Sequence, residues 1–210
     1  VLIGLIRAAV EDRVRRGDKV TLLDIGCSTG NLLFHLKRAL PQLDLVGGDL
    51  AESAIAQCKA NPELRDIRFE VMDAFQIPLS SFDVIVGNAM AVYLKPEQYA
   101  ACMASISRAL RPQGTYFAFE WVHKFRQYVH IVETSRSHPD GLHIYFRPEP
   151  DVERTFRENG LTDVQFRPFR IPIDLEKGAT YTDNRSGYED LHTYTVTPRE
   201  GERLLFRGAL

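Results

Sequence analysis

One stretch of the sequence constrains the fold more than any other: residues 20–30, which read Val-Thr-Leu-Leu-Asp-Ile-Gly-Cys-Ser-Thr-Gly. Residues 20–25 are an apolar run of strand length, the small residues at 26–30 predict a tight loop, and the leucines that follow recur with helical spacing. Gly26 and Gly30 permit positive φ and a close approach of a ligand to the backbone. Because ligands of open α/β sheets bind beyond the carboxyl ends of strands, this loop is a candidate cofactor site. An ordinary strand-to-helix turn is the alternative interpretation.

The rest of the first half of the chain repeats this unit. Apolar runs predict strands at 43–48, 67–72, 82–87 and 115–119, and helical patterns occur at 2–16, 31–40, 52–60 and 97–110. Strands that alternate with helices at this spacing form a parallel sheet with right-handed crossovers. The chain is therefore predicted to be an α/β protein with a Rossmann-like, doubly wound sheet.

Past Glu120 the pattern changes. Residues 121–149 are rich in aromatic side chains, hold four of the six histidines and show no clean period. A helix is predicted at 151–159, strands at 164–175, 191–197 and 203–210, and a polar, turn-rich loop at 177–190. Strands that follow one another without a helix must pair antiparallel, which places them at the end of the sheet. No linker divides the chain, so residues 1–210 are interpreted as a single domain with an insertion at 121–149.

Composition limits the kinds of partner. The chain has 210 residues, with 26 Lys and Arg against 28 Asp and Glu and a net charge of −2. Without an excess of basic residues, nucleic acid and anionic membranes are disfavoured as partners. The opening apolar run reaches Arg7 too early to span a bilayer. The three scattered cysteines, Cys27, Cys58 and Cys102, fit a reducing compartment, so a cytoplasmic location is predicted.

Three acidic residues follow three successive strands: Asp24, Asp49 and Asp73. In a parallel sheet these positions converge on one crevice, where Asp49 could accept hydrogen bonds from vicinal ribose hydroxyls and Asp24 could hold a cationic amino group. Asp73, with Ala74 and Phe75, could meet an adenine. The alternative is that these acids only cap the helices that follow them. A fourth acid, Asp83, begins a strand and is therefore expected at the opposite edge of the sheet, outside the site.

Five successive motifs then resemble those of class I S-adenosylmethionine-dependent methyltransferases. They are Leu-Leu-Asp-Ile-Gly-Cys-Ser-Thr-Gly, Val-Gly-Gly-Asp-Leu, Val-Met-Asp-Ala-Phe, Phe-Asp-Val-Ile-Val-Gly-Asn-Ala and Leu-Arg-Pro-Gln-Gly-Thr, within about residues 20–120. The resemblance implies S-adenosylmethionine as cofactor and a seven-stranded sheet, mostly parallel with an antiparallel last strand. It also implies methyl transfer to an acceptor. Ser28 stands where the family's most common loop has its middle glycine.

By the same resemblance, the loop residues line the methionyl part of the cofactor, Asp49 binds the ribose hydroxyls, Asp73 binds the adenine, and Asn88 lies beside the sulfonium. The full set of candidate cofactor-binding residues is Asp24, Gly26, Cys27, Ser28, Gly30, Asp49, Leu50, Asp73, Ala74, Phe75, Asn88 and Ala89.

Two other functions compete with methyl transfer. A nicotinamide-dependent Rossmann oxidoreductase would need the GxGxxG spacing, which Ser28 interrupts. A module that binds the nucleoside without catalysis would keep the loop and lose the acceptor pocket. The dense aromatics from Trp121 to Phe146 favour a real pocket.

Methyl transfer is an in-line displacement, so the protein mainly positions the acceptor, and a base is needed only if the acceptor is protonated. Glu120 and His123 follow the fifth strand and are the catalytic candidates, although a pocket-wall role is the favoured interpretation of His123. The histidines match no metal template, so no metal is predicted. Asn88-Ala89-Met90-Ala91 differs from the Asn/Asp-Pro-Pro motif of amide methylation, which favours a small-molecule acceptor. Residues 121–149 and 177–190 are predicted to cover it; a core or homodimer interface is the competing role.

Overall fold

The computed structural model describes residues 1–133 and 138–170, together with the main chain of three further strands at 180–183, 192–195 and 207–209. The first part of the chain alternates helices and strands. In order, they are α1 (Leu2–Arg15), β1 (Thr21–Ile25), α2 (Asn31–Ala39), β2 (Asp44–Asp49), α3 (Glu52–Ala60), β3 (Arg68–Val71), β4 (Phe82–Asn88), α4 (Pro96–Ala109) and β5 (Leu110–Phe119). All nine elements were predicted from the sequence, and the ends differ by a few residues at most, with β5 the largest difference.

The second part is richer in strands. It contains β6 (Val122–His123), β7 (Val129–Glu133), β8 (Leu142–Pro148), α5 (Glu149–Glu158), β9 (Pro168–Arg170), β10 (Thr180–Asp183), β11 (His192–Thr195) and β12 (Arg207–Ala209).

The five strands of the main sheet are all parallel, in the order β3-β2-β1-β4-β5. The chain leaves β1 to one side for β2 and β3, then returns to the other side of β1 for β4 and β5. The strand order therefore reverses at β1, which is the topological switch point where open α/β sheets bind ligands.

Two hydrophobic cores cover the two faces of this sheet. Leu22 of β1 packs in one core with residues of α1, α2 and α3, while the adjacent Leu23 packs in the other with residues of α4 and α5. Side chains of successive strand residues point to opposite faces, so a strand covered on both sides is apolar throughout. This is why residues 20–25 form a mostly apolar run, interrupted by Thr21 and Asp24, rather than an alternating one.

The tail differs from the prediction in three respects. Residues 121–149 contain a small sheet in the order β6-β8-β7, with β7 and β8 antiparallel, where no regular pattern was seen. The prediction of a polar loop at 177–190 is wrong for residues 180–183, which form β10 and pair with β11, and the other residues of this range lie outside the described part of the chain. Strands β9 and β12 also pair antiparallel with each other. The predicted seven-stranded sheet with an antiparallel last strand is therefore not found within the described residues, where the main sheet has five parallel strands and the tail strands pair in separate small sheets. No helix in the described part of the chain is long and apolar enough to cross a membrane.

Candidate functional site

Main-chain hydrogen bonds to β2 and left-handed residues fix the shape of the loop after β1. Gly26 and Gly30 have positive φ values of 76° and 77°, and Ser28 has a φ of 48°. The backbone N–H groups of Gly26 and Cys27 both donate to the Gly48 carbonyl, at 2.7 and 3.1 Å. Ser28 therefore adopts the left-handed conformation that explains why a glycine is common at its position in the related motif.

Asp49 fastens this loop to the end of β2. Its Oδ2 accepts a hydrogen bond from the Ser28 N–H at 2.8 Å, and its Oδ1 accepts one from the Ala51 N–H at 2.9 Å. Ala51 is the N-cap residue of α3, which has no side-chain cap hydrogen bond, so Asp49 shapes the turn before α3 and does not cap the helix. Each carboxylate oxygen has a second lone pair, which leaves capacity for the two hydroxyls of a ribose.

The space beside Gly26, where a Cβ would lie, is filled by the side chain of Met90. A Cβ placed on Gly26 would lie 2.5 Å from Cγ of Met90, which follows β4. Similarly, a Cβ on Gly30 would lie 2.8 Å from Leu64. The loop is thus packed from both sides, and its exposed residues are Ser28 and Thr29.

Asp24 is a buried carboxyl with an unsatisfied oxygen. Its side chain is 1% exposed, and its Oδ1 has no hydrogen-bond partner among the residues that the structure describes. Burial, assisted by the negative charge of Asp49, raises the pKa of Asp24 to about 8. Six residues later, Gly30 is the N-cap residue of α2 and offers no side-chain cap. A carboxyl and an uncapped helix N-terminus side by side match a zwitterion, which presents an ammonium to one and a carboxylate to the other.

The predicted adenine-binding residues follow the neighbouring strands β2 and β3. Asp73 Oδ1 accepts a hydrogen bond from the Phe75 N–H at 2.8 Å, so this acid also shapes its own turn. Ala74 and Phe75 are half-buried against the core on the α4 side of the sheet. Leu50, next to Asp49, leaves 70% of its surface exposed. The structure therefore places the predicted adenine-binding residues at neighbouring strand ends.

The end of β4 carries backbone strain. Ala89 has a φ of 56°, and its N–H donates to the Phe119 carbonyl at 2.8 Å. A non-glycine residue in the left-handed region persists only where its surroundings enforce it, and such residues cluster at functional sites. Asn88 is exposed beside it.

Glu120 is buried directly after β5 and faces an arginine that sequence reasoning missed. Glu120 is 3% exposed, and Arg147 of β8 is 2% exposed, with 3.8 Å between Arg147 Nη1 and Glu120 Oε2. Burial raises the pKa of Glu120 to about 7, and the Arg147 guanidinium and the nearby Tyr99 hydroxyl limit the rise, although the Tyr99 hydroxyl does not have hydrogen-bond geometry to Glu120. The only sequence signal for Arg147 was a cation inside the otherwise mostly apolar strand 142–148.

His123 has both ring nitrogens turned to the main chain. Nδ1 lies 3.1 Å from the Phe125 carbonyl, and Nε2 lies 3.3 Å from the Phe146 carbonyl. Its ring also stacks on Phe125, with the centroids 3.5 Å apart. These contacts fit the pocket-wall interpretation of His123, because neither nitrogen is left to face an acceptor.

Asp83, the acid predicted to lie outside the site, is at the amino end of the sheet, opposite the cofactor loop. Asp83, near the start of β4, accepts hydrogen bonds from Arg13, Arg111 and the Thr21 N–H at 2.9, 2.7 and 2.8 Å. Burial by itself would raise the pKa of Asp83, but the Thr21 N–H and the two guanidinium groups outweigh it and hold this pKa below its usual value.

Comparison with known proteins agrees with this geometry. Residues 22–114 match a family described as a methyltransferase domain. The demethylmenaquinone methyltransferase of Deinococcus radiodurans is 29% identical over 56% of this chain and 49% of its own length. The release factor glutamine methyltransferase of the same organism is 36% identical over 40% of this chain and 31% of its own length. The chain thus spans half or less of the length of these relatives.

A solved structure shows the same fold. PigF with S-adenosylhomocysteine superposes with a TM-score of 0.57 at 19% identity, over 71% of this chain and 47% of PigF. At this identity the likeness shows the fold. The resemblance to class I S-adenosylmethionine-dependent methyltransferases that the five motifs carry is confirmed, because residues 22–114 match a methyltransferase domain.

Proposed function

We propose that this protein transfers the methyl group of S-adenosylmethionine to a small-molecule acceptor. The observation that carries the proposal is the unpartnered carboxyl of Asp24 beside the uncapped start of α2. The methionyl end of the cofactor is an amino acid zwitterion, and it matches both groups at once. An orphaned, buried acceptor atom of this kind indicates a ligand that the fold is built to receive.

The other candidate residues then take the roles that the resemblance implies. Cys27, with the loop glycines, lines the methionyl chain, and Asp49 accepts hydrogen bonds from the ribose hydroxyls. Leu50 and Phe75 contact the adenine, whose exocyclic amine meets Asp73. Asn88 and Ala89 border the sulfonium at the end of β4.

The bound cofactor supplies an activated methyl group on a sulfonium, which is already a good leaving centre. The chain has to bind this group, hold the acceptor in line with it and exclude water. The small sheet at 122–148 follows β5 and supplies exposed aromatics, Phe125 and Tyr128, for such a cover. Other aromatics of the segment complete its own packing: Trp121 stacks on Phe146 at 5.6 Å.

A small acceptor is supported by the balanced charge and by Asn88-Ala89-Met90 in place of the amide-methylation motif. The names of the relatives specify different acceptors, a demethylmenaquinone and a release factor glutamine, so they do not choose between classes. The cysteines in the described residues are all free thiols, which supports a reducing, cytoplasmic environment.

Calorimetry with S-adenosylhomocysteine and, separately, with NADH tests the proposal. We expect the nucleoside to bind and the dinucleotide not to bind. Asp24→Asn should weaken the nucleoside, because the amide no longer pairs with an ammonium, while Asp44→Asn at the opposite end of the sheet serves as the matched control. Binding of NADH alone would favour the oxidoreductase. Binding of the nucleoside without transfer to any acceptor would favour the non-catalytic module.

A further inference from the structure

Several buried polar groups remain unsatisfied where β4 and β5 end. Within the described residues, no hydrogen-bond partner exists for either carboxylate oxygen of Glu120, for Nε of Arg147, or for the hydroxyls of Tyr99 and Tyr116. Buried polar atoms are nearly always paired in folded proteins, so such a cluster is a candidate site for a polar ligand. Here the unpaired groups include both acceptors and donors.

The position of this cluster relative to the cofactor loop is set by the sheet. Strand β4 is the neighbour of β1, with Asp24 beside Val86, and β5 is the neighbour of β4, with Asn88 beside Phe119. Neighbouring strands are ~4.8 Å apart, so Glu120 lies roughly 10 Å to the side of the cofactor loop. With the sulfonium at the end of β4, the next strand end faces the acceptor.

Arg147 is fixed in place by contacts that leave Glu120 free. Its guanidinium lies over the Tyr99 ring, 4.0 Å from the centroid, and donates to the Leu94 carbonyl and, at 3.5 Å, to the Tyr145 carbonyl. At 3.8 Å from Glu120 it offers charge without a hydrogen bond. A cation held at this distance favours the ionised carboxyl while both oxygens stay available to a third group.

We propose, building on the methyl transfer proposed above, that Glu120 accepts the proton of the acceptor and that Arg147 positions its carboxylate. The acceptor is accordingly a hydroxyl or amine whose reacting atom carries a proton. The lone pair of that oxygen or nitrogen forms the new bond to the methyl carbon as the carbon–sulfur bond breaks. The electron pair of the broken bond stays on sulfur as a neutral thioether. The proton moves to Glu120 and then to solvent, so charge balances.

The electrostatics are consistent with this role. Burial raises the pKa of Glu120 to about 7, which suits a base that works near neutral pH. The charged and titratable groups that face Glu120 come from every element around it: Arg147 of β8, Tyr99 and Cys102 of α4, Tyr116 of β5, and Tyr128 just before β7.

The competing explanation is structural, since Glu120 and Arg147 also join β5 to the small sheet. Both explanations predict lower stability when the pair is broken. They differ in the pH dependence of the rate and in the class of acceptor, so these are the quantities to measure.

The experiment uses the full chain with tritiated-methyl S-adenosylmethionine and a panel of aromatic acceptors of one size. Phenols and benzylamines carry the transferable proton, whereas pyridines and thioethers do not. We expect methylation of phenols or benzylamines and a rate that rises with pH through about 7, the pKa of the Glu120 carboxyl. Glu120→Gln should lower kcat by ~100-fold or more. Glu153→Gln, an exposed acid of α5, is the control and should leave the rate unchanged.

Arg147→Met should move the rise in rate to higher pH by ~1 unit or more, because the cation that favours the carboxylate is lost, and Arg147→Lys should restore most of the shift. If Glu120→Gln fails to fold, Glu120→Asp replaces it in the test. This variant keeps the charge but shortens the side chain by one methylene, so it should lower kcat without changing the KM of the cofactor.

Two results would overturn the inference while the proposed function stands, because methyl transfer would still occur. They are transfer only to pyridines or thioethers, and an undiminished rate in folded Glu120→Gln or Glu120→Asp. Binding of S-adenosylhomocysteine without transfer to any acceptor would remove the inference and the proposed function together and leave the non-catalytic module. Failure of S-adenosylhomocysteine to bind at all would also remove the proposed function and this inference together.

Discussion

The two ends of the main sheet use the same residue type in opposite ways. Asp83 at the amino end and Asp24 at the carboxyl end are both buried aspartates on adjacent strands. Asp83 has three donors, two of them cationic, whereas Asp24 has an oxygen without any partner in the part of the chain that the structure describes. The pKa values move accordingly: donors lower that of Asp83, and burial raises that of Asp24.

The difference shows which property separates a structural end from a binding end. Backbone strain does not distinguish the two ends, because non-glycine residues in the left-handed region occur at both ends of the sheet. They are Ser28 and Ala89 at the carboxyl end and Ser80 and Gln113 at the amino end. Among the described residues, in contrast, the buried side-chain atoms without partners belong to Asp24 and to the group around Glu120, at or near the carboxyl end. Unpaired buried groups lower stability, and a ligand that pairs them recovers the loss on binding.

The largest effect is expected at the amino end. Asp83→Ala removes the acceptor for two guanidinium groups and a backbone N–H. Because the Arg13 and Arg111 side chains are 36% and 41% exposed, we expect a loss of ~3 kcal/mol, the lower end of the range for buried ion pairs. Urea unfolding should show this loss, while the affinity of the folded protein for S-adenosylhomocysteine stays unchanged. Asp151→Ala breaks a solvent-exposed pair with Arg154 and is the control. Similar losses in the two variants would mean that burial adds nothing to the Asp83 contacts.

Most of this sheet could be predicted from the sequence because its signals are local. Each strand is a short apolar run, each helix has its own period, and the breaks fall at Gly and Pro. The positions of Asp24, Asp49 and Asp83 followed from strand direction alone. That direction needs only the alternation of strands and helices.

The rest depends on contacts between distant residues. Strands β7 and β8 pair across a turn, and their β-branched and aromatic content was a usable signal that the dense histidines obscured. Glu120 could be selected as the residue after β5, but its partner Arg147 comes from another sheet. Whether Asp24 has a hydrogen-bond donor is likewise decided only by packing, which no local pattern encodes.

The next largest effect tests the carboxyl end of β2. Asp49→Ala leaves the Ser28 N–H and two ribose hydroxyls without an acceptor, which should cost ~2–4 kcal/mol of S-adenosylhomocysteine binding. Asp44→Ala, at the amino end of the same strand, contacts Lys19 and Arg68 and should leave that affinity nearly unchanged. Calorimetry on the two variants measures the difference. If both lose affinity equally, the site does not lie at the carboxyl end.

The unpaired carboxyl of Asp24 should make stability depend on pH. Its pKa rises from 3.8 to about 8 on folding, so the folded state holds a proton that the unfolded state has lost. Its contribution is fully present below pH 3.8 and disappears as pH rises through about 8, at up to ~1.4 kcal/mol per pH unit. Asp24→Asn cannot titrate, so its free energy of unfolding should fall less steeply.

Urea titrations of the wild type and Asp24→Asn at pH 6 and pH 7.5 give this comparison directly. The buried Glu120 contributes in the same direction below about 7, and it is present in both proteins, so the difference isolates Asp24. Parallel curves would show that Asp24 is ionised and paired in the folded protein, like Asp83.

The smallest effect is expected when residues at positive φ are replaced by glycine, which tests whether backbone strain at either end of the sheet influences binding. Ser28→Gly and Gln113→Gly each replace a residue at positive φ, 48° and 64°, with the residue that tolerates it. The relief of strain and the greater freedom of glycine in the unfolded chain nearly offset each other, so both variants should change the free energy of unfolding by about 1 kcal/mol or less. Only Ser28 lies in the loop that Asp49 holds, so only Ser28→Gly should alter the affinity for S-adenosylhomocysteine. Glycine loosens the loop before ligand binding, so that affinity should fall slightly. An equal change of affinity in Gln113→Gly would mean that the turn at the amino end influences the site, and the two ends of the sheet would no longer be independent.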